Sequence, residues 1–154
     1  MTEPKSMQCA IDTNILVYAE GFGDELRCTQ AATVLSRLNP KTTVLPVQVL
    51  GELCRVLTAK AKRDAALVRT HVLQWTQLFP TAPTQASALL AAMDLTAERQ
   101  VSTWDAIILA VAADQGCSWL LSEDYADGMT YRGVTVLNPF TNATHPALQA
   151  LQAS

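Results

Sequence analysis

The sequence predicts an α/β fold with a mainly parallel central sheet flanked by helices, on three observations. Short apolar or β-branched runs alternate with longer stretches of helical periodicity, the pattern of parallel strands joined by crossover helices. One helical stretch, Ser102–Gln115, is apolar almost throughout, as a helix buried on most faces must be. The 154 residues are 49% hydrophobic and 16% charged, which suits one compact domain with a sizeable core. The single domain spans 1–154, with a core of about 8–140 and a tail over 141–154.

Met1–Ser6 reads as a loose terminus. Met7–Ile11 is an apolar strand that ends in Asp12. Ile15–Ala19 begins a helix or turn, broken by Gly21-Phe22-Gly23. Asp24 caps a helix over Glu25–Leu38, striped by Cys28, Ala31, Ala32 and Leu35 and ended by Asn39-Pro40. Thr42–Leu45 is a β-branched second strand, and Pro46 opens a helix over Val47–Ala61. A further helix spans Asp64–Leu78, with Leu67, Val68, Val72, Trp75 and Leu78 on its buried side. Pro80 and Pro83 separate it from a third helix, Thr84–Gln100, and the block resembles a helical hairpin over one side of the sheet. After Ser102–Gln115, Gly116 is the expected helix stop. Ser118–Leu121 and Val134–Leu137 read as strands around a polar loop, Ser122–Gly133. The tail carries one short helix after Pro146.

Net charge is -3 and the pI about 5.2, so no bulk positive field recommends a nucleic-acid partner. Any RNA contact would need a local cluster or a metal; Lys60, Lys62 and Arg63 form one basic knot, which a solvated helix junction also explains. Cys9, Cys28, Cys54 and Cys117 are widely spaced without a C-x-x-C pair, which argues against zinc. Three of them sit in apolar surroundings and read as reduced core residues. No signal-like opening and no apolar run of membrane length occurs, so a cytoplasmic protein without membrane attachment is expected. No phosphate-cradling glycine loop is present. His71 and His145 stand alone, and no Ser–His or Cys–His partnership suggests nucleophilic catalysis.

Carboxylates carry the chemistry. Asp12 ends the first strand, where ligands of open α/β sheets sit; a helix N-cap is the plain alternative. Glu52 falls just outside the apolar arc of its helix when residues are placed roughly 100° apart. It is either a solvated helix residue or a carboxylate at the rim of a cleft. Asp105 completes a capping box, Ser102-Thr103-Trp104-Asp105, and equally stands in the first turn of a buried helix. Asp124 follows a strand in Ser122-Glu123-Asp124-Tyr125, where Glu123, Asp124 and Asp127 could also be a solvated acidic turn. Four converging carboxylates without histidine or cysteine are hard oxygen ligands suited to Mg²⁺ or Mn²⁺. Their chemistry is phosphodiester hydrolysis.

The same residues resemble a known family. Ile11-Asp12-Thr13-Asn14-Ile15-Leu16 looks like the opening motif of PIN-domain ribonucleases, particularly VapC-like toxins of type II toxin–antitoxin pairs. Gly51-Glu52-Leu53, Thr103–Ala110 and Leu120-Leu121-Ser122-Glu123-Asp124 with Gly128 look like the second, third and fourth acidic positions, in order. The resemblance runs from about Gln8 to Phe140. It implies a sheet with the first strand central, Mg²⁺ or Mn²⁺ dependence, an RNA substrate, homodimerisation and inhibition by a small antitoxin. Asp12, Glu52, Asp105 and Asp124 would bind metal. Asn14 would order the first loop, Ser122 would support the site, and Asp127 is an additional ligand or a bystander. Two alternatives stand beside this. A haloacid-dehalogenase-like phosphatase also begins with a strand and an acid, but needs a second acid where Asn14 stands. A PIN fold without catalysis would be a binding module.

Overall fold

The computed structural model describes residues 7–153, so the expected loose terminus Met1–Ser6 lies outside the described residues. One sheet runs β3-β2-β1-β4-β6-β5, with β1 (Cys9–Ile11), β2 (Thr43–Pro46), β3 (Thr81–Ala82), β4 (Trp119–Leu121), β5 (Thr130–Tyr131) and β6 (Val134–Leu137). All pairs are parallel except β5 with β6. The first strand is internal, and every residue of it is fully buried, as a parallel strand covered on both faces must be. The α/β class with a mainly parallel sheet is therefore observed as expected.

The helices are α1 (Thr13–Ala19), α2 (Glu25–Arg37), α3 (Val47–Arg55), α4 (Ala65–Leu78), α5 (Ala86–Glu98), α6 (Thr103–Asp114) and α7 (Pro146–Ala153). Asp24 and Asp64 accept the backbone N–H three residues on and so cap α2 and α4. In α6 the run Ala106–Ala112 is buried on every face. Ile108 and Leu109 each contribute about 1.5–3 kcal/mol by leaving water. Gly116 and Cys117 donate to the carbonyls of Ala113 and Ala112, closing that helix as expected.

The structure differs from the sequence reading in several places. The helix after Pro46 does not stay regular to Ala61: from Val56 to Lys60 it widens into a π-helical turn. Pro46 itself is the last residue of β2 and the cap of α3. No simple hairpin forms from α4 and α5, because the edge strand β3 intervenes; α5 packs chiefly on α6, and α4 on α3 and the π turn. Only Val68 of α4 is buried, while Leu67 and Leu78 stand about half exposed. In α2, Ala32 is exposed and Cys28 half-buried; Cys54 is exposed, leaving Cys9 and Cys117 as the buried thiols. The loop 122–133 contains half a hairpin: β5 returns to β6 through Arg132 and Gly133, both at positive φ. Among the described residues no helix is long and apolar enough to cross a membrane.

Candidate active site

Parallel pairing puts Ile11 beside Leu121, so the chain leaves β1 and β4 at the same edge. Asp12 follows the first strand, its backbone N–H bonded to the Leu121 carbonyl at 3.0 Å. Its carboxylate is buried. Oδ1 accepts from the Thr13 N–H at 2.7 Å, and Oδ2 from the Ser122 hydroxyl at 2.6 Å. Ser122 also accepts the Asp124 backbone N–H at 3.0 Å. Asn14, in the first turn of α1, donates its amide to both Asp124 oxygens at 2.7 Å.

Glu52 reaches the same edge from α3. Its Oε2 accepts from the Thr13 hydroxyl at 2.7 Å and its Oε1 from the Gln48 amide at 2.9 Å. Gln48 donates as well to the Trp104 carbonyl at 3.0 Å, which fixes the start of α6 against α3. There Ser102 caps the helix by accepting the Asp105 N–H at 3.2 Å, one half of the expected capping box. Asp105 is half-buried and lines two clefts, one with Asp124 and Tyr125, the other with Glu52.

The electrostatics show that these acids feel one another. Burial pushes the Asp12 carboxyl up to about 7; the Ser122 and Thr13 hydrogen bonds pull it down, and Asp124 and Asp105 push it up further. Asp105 is raised by burial and by Glu52, against the Ser102 hydroxyl. Asp124 is raised by burial, Asp105 and Glu123, and lowered by the neighbouring Asp12 side chain and the Asn14 amide. Tyr125 was missed in the sequence. Burial raises its phenol first, and then all four acids do, Asp12, Asp105, Asp124 and Glu52. Its hydroxyl donates to the Asp105 carbonyl at 2.7 Å, and it shares a cleft with Asp105 and Asp124. An aromatic next to an acid is its only signal in the sequence.

Asp127 turns to the following loop, where Oδ1 accepts from the Asn138 N–H at 3.0 Å and Oδ2 from the Asn142 amide at 2.9 Å. Of the basic knot, Arg63 is held internally on the Glu20 carbonyl at 2.8 Å. His71, read as a surface residue, pairs with Glu20 at 2.8 Å; His145 accepts the Ala147 N–H at 3.0 Å at the start of α7.

The four acids line one edge without yet closing on a common point. Among the described residues, no three acidic, histidine or cysteine groups are spaced to hold one ion. The donor set nevertheless fits a hard divalent cation. It is all oxygen, part of it is buried, and its mutual repulsion is relieved by positive charge.

These features define an α/β domain with an acidic cleft at the carboxyl edge of a parallel sheet. The chain belongs to the PIN domain family, whose model matches residues 9–126. No curated protein sequence matches it. Among solved structures it is similar to VapC20 of Mycobacterium tuberculosis, a Sarcin-Ricin loop cleaving toxin. They are 19% identical, with a TM-score of 0.66 over 81% of this chain and 98% of that one. It is similar to FitAcB of Neisseria gonorrhoeae at 18% identity, TM-score 0.63, over 86% and 99% of the two chains. A toxin–antitoxin complex from Klebsiella pneumoniae gives 21% identity and TM-score 0.61 over 83% and 96%. At these identities the likeness speaks for the fold.

Proposed function

We propose that this protein is a metal-dependent endoribonuclease and the toxin of a toxin–antitoxin pair. One observation carries the reading: within a PIN-family fold, Asp12, Glu52, Asp105 and Asp124 lie at one sheet edge, with the side chains of Asp12, Glu52 and Asp124 held by hydrogen bonds from their neighbours. Asp12, Glu52, Asp105 and Asp124 would hold Mg²⁺ or Mn²⁺. Bound there, such an ion lowers the pKa of water and offsets charge on a phosphodiester. The chain's own part is positioning. Thr13 and Ser122 orient Asp12, Thr13 and Gln48 orient Glu52, and Asn14 holds Asp124. Asn14 also weakens the phosphatase alternative, since an amide donating to Asp124 cannot serve as a general acid. The toxin role and a small antitoxin partner are supported by the family and by a neighbour solved as a toxin–antitoxin complex; a homodimer acting in the cytoplasm completes the proposal.

The test is cleavage of RNA in Mg²⁺ or Mn²⁺ by the wild type and by Asp12→Asn. Cleavage by the wild type alone, abolished by EDTA, supports the reading. Equal cutting by both, or cutting in EDTA, defeats it. Release of phosphate from small phosphomonoesters with RNA left intact favours the phosphatase. Expression should arrest bacterial growth, and co-expression of a small protein encoded beside it should restore growth.

A further inference from the structure

We infer that the cleft between the first turns of α6 and the exposed side of α3 is a nucleotide subsite, in which an unpaired base stacks on Trp104 while Arg55 meets its phosphate. The inference rests on the nuclease reading above and names how that site takes its substrate. The cleft measures about 890 Å³, and its lining includes Val47, Gly51, Arg55 and Trp104 together with Glu52 and Asp105. Its occupant therefore lies directly against two of the proposed catalytic acids.

Trp104 is the unusual member. The indole is 65% exposed, although the N–H of Trp75 bonds Glu20 and the ring of Trp119 meets His145. Among the described residues the Trp104 indole N–H has no partner. Its backbone is held firmly, because the Gln48 amide bridges the Trp104 carbonyl and the Glu52 carboxylate. A large π-face on a fixed helix start beside the acids is a stacking platform; base–aromatic stacking tolerates any base.

Arg55 supplies the charge. Among the described residues its guanidinium makes no hydrogen bond or ion pair, while Arg27 and Arg63 are both engaged. With a net charge of -3, a polyanion finds no general attraction here, so a free arginine in the cleft is what can hold a phosphate. The strand has somewhere to continue. A second cleft of about 240 Å³ lies on the other side of Asp105 and Ser102 and carries Arg99, whose guanidinium donates to the Thr130 carbonyl at 3.1 Å. A single strand passing from Arg55 to Arg99 crosses Asp105. Gly51 keeps the first cleft open: a Cβ placed there would meet nothing within 4 Å.

The experiment is binding of an end-labelled, mixed-sequence single-stranded RNA in EDTA, read by fluorescence anisotropy, so that affinity is separated from cleavage. Trp104→Ala should raise Kd roughly ten- to hundredfold, the range for one lost stack, and Trp104→Phe should keep most of the affinity. Arg55→Ala should lower the slope of log Kd against log salt by about one. Gly51→Leu, which has room to fold, should raise Kd by obstructing the cleft. Wild-type affinity in Trp104→Ala and Gly51→Leu, or no RNA binding by the wild type, overturns the subsite. So does loss of a protein partner in Trp104→Ala with RNA affinity unchanged. If the wild type cuts RNA while Trp104→Ala binds normally, the subsite fails and the nuclease reading stands. If RNA binds through Trp104 but is never cut, the reverse holds.

Discussion

The Ser122 hydroxyl donates to Asp12 Oδ2 at 2.6 Å and accepts the Asp124 N–H at 3.0 Å, tying together two acids that leave adjacent strands. Asp12 is buried, so its oxygens have little water to turn to when a donor is lost. Ser122→Ala should therefore cost about 1–3 kcal/mol of stability in denaturant melts. It should also reduce RNA cleavage by roughly 10–100-fold, as losses of groups that orient metal-binding residues do. Unchanged activity would leave Ser122 with a purely structural role.

The raised Asp12 carboxyl sets a pH dependence for the metal-free protein. Its folded pKa, about 7, lies above the ordinary 3.8, so folding favours the protonated form. That contribution is fully present below about pH 4 and is lost as pH rises through about 7. Asp105 and Asp124 are raised too and act in the same direction. In EDTA the melting temperature should fall between pH 5 and pH 8. Asp12→Asn should flatten the fall, leaving the part due to Asp105 and Asp124. Mn²⁺ at pH 8 should restore the wild type by binding only the folded state. A melting temperature that climbs from pH 5 to pH 8 in EDTA would contradict this account of Asp12.

Asp124 separates a ligand from a turn residue. Asn14 donates to both of its oxygens, while Asp105 and Glu123 repel it. Asp124→Asn removes the repulsion at similar volume, so without metal it should melt at the same temperature or higher. The rise in melting temperature on adding Mn²⁺ should shrink, and cleavage should fall. An equal Mn²⁺ shift in both proteins would remove Asp124 from the ligand set. A merely capping Asp124 would instead lose roughly 0.5–2 kcal/mol, by analogy with helix N-caps.

The sheet edge was legible because polar residues there interrupt apolar runs: Asp12 after Cys9–Ile11, and Ser122 after Trp119–Leu121. That these two strands are neighbours is seen in the fold and is not written in any residue pattern. Less visible were features without a period. The strands β3 and β5 are two residues each, too short to alternate, and a π turn carries the same apolar residues as an α-helix. Leu67 and Leu78 share the helical stripe of α4 yet stand half exposed, because periodicity reports an apolar face and not what covers it. Tyr125 and Trp104 were passed over for a related reason: an aromatic beside an acid looks like loop or helix start until the fold shows what surrounds it.

Gly23 supports the acidic loop from a distance. Its φ is +117°, a backbone region that side chains rarely adopt, and a Cβ there would fall 2.8 Å from the Tyr18 ring. Tyr18 donates its hydroxyl to Glu123, the neighbour of Asp124, and Arg27 Nε donates to the same carboxylate at 2.9 Å. The Tyr18 ring also meets Phe140 edge-on at 5.5 Å, and the Arg27 guanidinium lies over that ring. Displacing Tyr18 would therefore disturb both the packing and the acid that flanks the site. Gly23→Ala should cost about 1–3 kcal/mol and lower cleavage as well. Gly133 is the control, with φ +84° and nothing within 4 Å of an added Cβ. Gly133→Ala should carry only backbone strain, a smaller loss, and leave cleavage close to wild type. Paired melts and RNA cleavage rates decide it: equal stability losses with equal activities would mean that Tyr18 yields freely and that Glu123 is not held by this contact.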